Sequence, residues 1–157
     1  MRILGIDPGY DRLGIAVIER PARGKEAVAY SGCVTTSPKD SIYLRLLHIG
    51  TEVAAIADRF APDAVAIETL FITKNQKTAM RVSEARGIVL YEASKRGLPI
   101  YEYSPMEIKM AVTGDGRSDK KRMMKMVELL VKLPEKKALD DEFDAIAAAL
   151  ACSAMMR

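Results

Sequence analysis

Apolar positions follow two rhythms along this 157-residue chain. In "RILGID", "LGIAVIE" and "AVAYSGCVTT" they run almost unbroken and rich in β-branched residues, which predicts three strands. "PG" and "RPARGKE" separate them, and connections this short make an antiparallel meander. After "SPKD" the rhythm changes. Ile42, Leu46, Ile49, Val53, Ile56 and Phe60 recur at steps of 4, 3, 4, 3 and 4, one stripe of a helix that Pro62 ends. "AVAIE" is a short strand, and residues 76–96 read as a helix closed by Gly97 and Pro99. "IYEYS" is a fifth strand and "PMEIKMAV" opens a short helix with Pro105 in its first turn. Beyond the loop "TGDGRS", the segment "DKKRMMKMVELLVKL" reads as a basic amphipathic helix running to Pro134. The Ala-rich stretch from about Glu142 to Met156 predicts a last helix buried on most sides. The order βββ-α-β-α-β-α-α-α implies one domain over residues 1–157, an α/β mixed five-stranded sheet with helices on both faces.

Two of these apolar strands end in an acid. "ILGID" closes on Asp7 and "AVAIE" on Glu68. A strand buried on both faces presents its last side chain at the sheet's C-terminal edge, where α/β folds gather their ligands. "DDEFDAIAAAL" adds Asp141 and Asp144, three apart and therefore on one face at the start of the last helix. Asp140, four before Asp144, can share that face too, so the spacing leaves both open as the third acid. Any one of these acids is explained as a turn former or a helix-dipole partner. All four together at one edge would repel each other and raise each other's pKa unless cations neutralise them. Oxygen ligands without thiolate or imidazole suit Mg²⁺ or Mn²⁺. Two such ions about 4 Å apart are a common arrangement for phosphodiester hydrolysis.

The charge balance changes the picture only locally. The chain carries 24 Lys and Arg against 21 Asp and Glu, a net +3, too small to imply a nucleic-acid partner by itself. Residues 117–137, however, hold eight basic side chains against three acidic ones, and residues 71–86 four against one. Such patches are the footprint a polyanion requires. No G-x-x-x-x-G-K-[ST] loop and no dinucleotide-binding glycine set occurs. The single histidine, His48, falls just off the apolar stripe of its helix, so a metal-activated water is a better nucleophile than any histidine-based one. Cys33 and Cys152 lack metal-ligand spacing and read as buried, reduced thiols of a cytoplasmic protein. No signal peptide is expected, and the longest apolar run, "AIAAALACSAMM", is short of a membrane span. The methionines at 106, 110, 123, 124 and 126 are expected to fill gaps in the core.

Taken in order, "GIDPG", "AIE" followed by Phe71 and "KN" in "AIETLFITKN", "ARG" at 85–87, "GDGRSDK" and "DxxDA" resemble the RuvC family of Holliday-junction resolvases. The resemblance runs nearly end to end. It implies an RNase H-like fold, a homodimer, and Mg²⁺-dependent symmetric nicking of four-way DNA junctions, with Mn²⁺ able to substitute. It also implies work beside a branch-migration motor in recombination and repair. By motif position the catalytic and metal-binding acids are Asp7, Glu68, Asp141 and Asp144. Phe71 matches the aromatic that engages bases near the junction, in a loop that also carries Lys74 and Asn75. Lys109 and Lys120 match basic residues beside the active site and DNA backbone, and Arg117, Lys121 and Arg122 extend that basic run. The small-residue face of the 76–96 helix (Ala79, Val82, Ala85, Val89, Ala93) is the candidate dimer interface. Other readings are a non-catalytic junction-binding scaffold, an RNase H-type nuclease on RNA–DNA hybrids, or a sugar-kinase or actin-like phosphate-binding module. The last needs two domains around its nucleotide.

Overall fold

The structure, a computed structural model, describes residues 1–70, 76–133 and 140–156. Five strands, β1 (Arg2–Asp7), β2 (Arg12–Glu19), β3 (Ala27–Thr35), β4 (Ala64–Glu68) and β5 (Ile100–Tyr103), form one sheet in the order β3-β2-β1-β4-β5. The first three are the antiparallel meander, while β4 and β5 run parallel to β1 after helical crossovers. Central β1 pairs on both edges and is packed on both faces, Ile3 in one core and Leu4 and Ile6 in the other, and for that reason its sequence is apolar throughout rather than alternating.

Five helices cover the sheet: α1 (Ile42–Phe60), α2 (Gln76–Lys95), α3 (Pro105–Thr113), α4 (Lys120–Leu130) and α5 (Asp140–Met155). Local chemistry sets their ends. Ser41 caps α1 by accepting from the Leu44 N–H, and α3 opens on a reciprocal Ser104–Glu107 capping box with Pro105 behind it. Asp119 caps α4 through the Arg122 N–H at 2.7 Å. Gly114 closes α3 in the left-handed conformation that glycine adopts without strain.

The layers separate by side-chain parity. Leu4, Ile6, Leu13, Ile15, Val17, Val65 and Ile67 pack under α1 and α2. Ile3, Ala16, Ile18 and Ala66 pack under α3, α4 and α5. Alternate residues of a strand face opposite ways, so Asp7, Arg12, Gly14 and Glu68 share the α5 side with that second set.

Four expectations need correction. The basic helix stops at Leu130, short of Pro134, because Val131 turns extended and Lys132 pairs by backbone with Glu26 and Val28 at 2.9 Å each way. Met106 and Met110 are exposed on α3, while only Met123 is buried and Met124 and Met126 pack at the core's edge. Ala85, Val89 and Ala93 of α2 are inside the chain's own core and are not free for a partner. Cys152 is buried but Cys33 only half so, and both are free thiols. Among the described residues no helix is long and apolar enough to cross a membrane.

Candidate active site

Parallel pairing of Ile6 with Ile67 sets Asp7 and Glu68 side by side at the ends of adjacent strands, on the α5 face. Helix α5 reaches them because glycine lies beneath it. A Cβ at Gly5 would collide with the Ala145 carbonyl oxygen and crowd Ala149, and one at Gly14 would collide with the Asp141 carbonyl oxygen. Gly14 is also the register partner of Asp7. The helix backbone therefore sits directly on β1 and β2, and its first turn delivers Asp141 and Asp144 to the strand-end acids.

A cavity of about 230 Å³ opens there, lined by Asp7, Glu68 and Asp144, by Lys109 of α3 and Lys120 of α4, and by Pro105, Ile108 and Met123. Burial first, then the charges of Asp144, Glu68 and Asp141, push the Asp7 carboxyl up to about 7. Glu68 is raised by burial and by Asp144, against the pull of Lys109. Burial also raises Asp144, although Lys120 opposes it from 3.0 Å. Lys120 is desolvated too, yet its pairing with Asp144 and, at 3.5 Å, Asp140 raises its own pKa. Asp141 bears on Asp7, whereas the exposed Asp140 faces Lys120 instead.

These are carboxylates short of positive charge, a donor set that fits a hard divalent cation. As it stands, no group of three or more His, Cys, Asp or Glu side chains among the described residues is arranged to hold one. The two helix acids are instead turned onto protein cations, Asp144 onto Lys120 and Asp141 onto Arg12 at 2.5 Å.

The remaining basic candidates lie on the rim. Arg117, Lys121 and Arg122 are exposed around the start of α4, Arg122 pairing with Asp115 at 3.5 Å. Phe71, Lys74 and Asn75 lie outside the described residues. His48 is exposed on α1, on the opposite side of the sheet.

Three residues that carry the site's geometry have no counterpart among the sequence candidates. Arg12 hydrogen-bonds Cys33 and Asp141, and both hold its guanidinium above the ordinary arginine range. Cys33 itself points its thiol at the Asp141 carboxylate, 3.6 Å away. Arg45, buried in α1, clamps the turn that follows Asp7. It donates to Thr36 Oγ1 at 2.8 Å and to the Tyr10 carbonyl at 3.1 Å, pairs with Asp11, and stacks 4.7 Å from the Tyr10 ring centre. A signal for Arg45 existed. It lies three after Ile42 and four before Ile49, so the apolar stripe itself turns this charge inward.

The family model described as "Crossover junction endodeoxyribonuclease RuvC" matches residues 3–152. The crossover junction endodeoxyribonuclease RuvC of Thermosipho melanesiensis is 44% identical over 149 residues, covering 95% of this chain and 94% of the relative. The structure of Thermus thermophilus RuvC in complex with Holliday junction substrate superposes with a TM-score of 0.93 at 34% identity, over 100% of this chain and 95% of that one. The yeast mitochondrial Holliday junction resolvase Ydc2 shares the RNase H-like fold, with a TM-score of 0.71 at 12% identity over 97% of this chain and 78% of that one. Strand-end acids at Asp7 and Glu68, helix acids at Asp141 and Asp144, and end-to-end similarity in sequence and fold have one common explanation: the chain belongs to the RuvC family of crossover junction endodeoxyribonucleases.

Proposed function

We propose that this chain resolves Holliday junctions, nicking the four-way DNA symmetrically by Mg²⁺-dependent phosphodiester hydrolysis with two ions per site. The observation that carries the reading is the convergence of Asp7, Glu68 and Asp144 with Lys109 and Lys120 on one small cavity. Asp7, Glu68, Asp141 and Asp144 would hold the ions, Mn²⁺ serving in place of Mg²⁺. Bound there, divalent ions supply an activated water and charge neutralisation for an in-line displacement. The chain's own part is to bind and orient. Lys109 and Lys120 meet the scissile phosphate from the cavity wall. Arg117, Lys121 and Arg122 hold the flanking backbone, which makes junction affinity fall steeply with salt. Phe71 stacks on a base near the branch point, helped by Lys74 and Asn75.

Symmetric cutting calls for two sites related by a two-fold axis, hence a homodimer. The surface best suited to it is the groove of about 780 Å³ between α1 and α2, where Tyr43, Leu47 and Tyr91 are 80%, 66% and 61% exposed. The same reading places this work in the cytoplasm, in recombination and repair beside a branch-migration motor.

The test is cleavage of a labelled synthetic four-way junction by wild type and Asp7→Asn, each with Mg²⁺ or EDTA. Paired symmetric nicks made only by wild type with Mg²⁺ are expected, with Asp7→Asn still binding the junction. Binding without cutting, in Mn²⁺ as well and across several junction sequences, would instead indicate a scaffold. Preference for an RNA–DNA hybrid in competition would indicate an RNase H-type nuclease.

A further inference from the structure

We infer that Arg12 is a resident counter-cation of Asp141, and that a divalent ion gains this carboxylate only by displacing it. The inference rests on the reading that the site's acids hold divalent ions. Arg12 opens β2 on the face that α5 covers. Two residues later, Gly14 admits the Asp141 carbonyl against the strand, which fixes the first turn of α5 by its backbone. The Asp141 carboxylate is then left within reach of Arg12, and the pair closes at 2.5 Å with the Cys33 thiol 3.6 Å from the same oxygen.

The two cations that hold helix acids have different positions. Lys120 lines the cavity with its partner Asp144. Neither Arg12 nor Asp141 lines it. Arg12 thus keeps one of the four site acids outside the cavity while Asp7, Glu68 and Asp144 face into it. A guanidinium does not deprotonate in a protein, so raising the pH cannot release the acid, and with the carboxylate ionised a competing cation must. The pair is partly exposed, Arg12 at 50% and Asp141 at 24%, and pairs open to solvent in this way are weak. Arg12 therefore tunes ion binding without blocking it. It is a positioning residue, acting on the ions through Asp141.

Isothermal titration of the DNA-free protein with Mn²⁺, at fixed pH and ionic strength, tests this without any turnover. Arg12→Gln should bind Mn²⁺ about two- to fivefold more tightly than wild type, the range set by a solvent-exposed ion pair. Arg12→Lys, which keeps a cation, should bind like wild type and controls for the fold. In an Asp141→Asn background the same Arg12→Gln change should have no effect. Equal or weaker Mn²⁺ binding by Arg12→Gln overturns the inference and leaves the metal reading standing. So does tightening that persists undiminished beside Asp141→Asn, which would make Arg12 a diffuse charge. A wild type that binds no Mn²⁺, like Asp7→Asn, would instead overturn the metal reading and this inference with it.

Discussion

The two faces of the sheet are built to different ends. Under α1 and α2 the strands present large aliphatics (Leu4, Ile6, Leu13, Ile15, Ile67) that meet Ile49, Val53 and Ile56, and the layer is held by area. Under α5 the same strands present Gly5, Gly14, Ala16 and Ala66 to a helix whose inner residues are mostly alanine. That face gives up apolar area for close approach. The difference locates the chemistry: only a helix lying directly on β1 and β2 can bring carboxylates from its first turn to those at the strand ends. The aliphatic face holds α1 and α2 further out, and the site is on the other side.

The sharpest way to break the comparison is to add one methyl group on each face. Gly5→Ala and Gly14→Ala drive a Cβ into α5 backbone, which cannot rotate away. Each should cost about 3 kcal/mol or more in urea unfolding, at the upper end of overpacking, and Gly14→Ala should also lose cleavage by shifting Asp141. Gly50→Ala in α1 meets only the Ile88 Cγ2 methyl, at 2.9 Å, and gains helix propensity. Its net effect should stay within about 1 kcal/mol. Equal damage from Gly50→Ala and Gly5→Ala would dissolve the distinction between the faces.

A second difference is charge. The α5 face buries acids whose pKa is raised, Asp7 to about 7. Between the ordinary aspartate value of 3.8 and about 7, the folded chain keeps a proton that the unfolded chain has released. The unfolded state then binds fewer protons, so Asp7 makes metal-free stability fall as pH rises through that window. Above it the penalty is on the order of 4 kcal/mol at most, and Glu68 and Asp144 act in the same direction. In EDTA, Asp7→Asn should therefore melt with wild type near pH 4 and progressively above it towards pH 8 (melting curves at stepped pH read this directly). On the proposed metal reading, saturating Mg²⁺ should close or reverse the gap, because Asp7→Asn would remove one of the proposed ligands. Parallel pH profiles for the two proteins in EDTA would mean that Asp7 is not the strained acid.

How much of this was legible in the sequence follows from the same contrast. The unbroken aliphatic runs and the stripe from Ile42 to Phe60 specify a strand or helix by period alone, and the elements formed where those periods are strong. Asp7 and Glu68 could be read because each ends an apolar strand, and Asp144 because its helix turns apolar just beyond it. Arg12 and Cys33 could not. They meet Asp141 only through the strand order β3-β2-β1 and the seating of α5 on Gly14, which are long-range facts. Strand parity was a usable but unread signal. Gly5 and Asp7, Arg12 and Gly14, and Ala66 and Glu68 are small or charged at every second position, against bulky neighbours.

The smallest effect on the fold should come from the outer surface of the aliphatic face. Its helices leave Tyr43, Leu47 and Tyr91 exposed along one groove, an arrangement that a monomer gains nothing by keeping apolar. Asp58, Glu92 and Arg96 form a small ion-pair cluster at its end, a polar edge of the kind that borders an apolar contact. Leu47→Glu and Tyr91→Lys change no core contact, so each should alter unfolding by no more than about 0.5 kcal/mol. If the proposed dimer uses this groove, the introduced charges are buried against the partner's apolar patch and against each other, so the same variants should sediment as monomers under conditions in which the proposal expects wild type to sediment as a dimer. A monomer still offers an intact cavity to one strand. It should nick a four-way junction singly but fail to make paired cuts, which a gel of doubly labelled junction resolves. Dimers that survive both substitutions would move the two-fold axis elsewhere and leave the aliphatic face with a purely internal role.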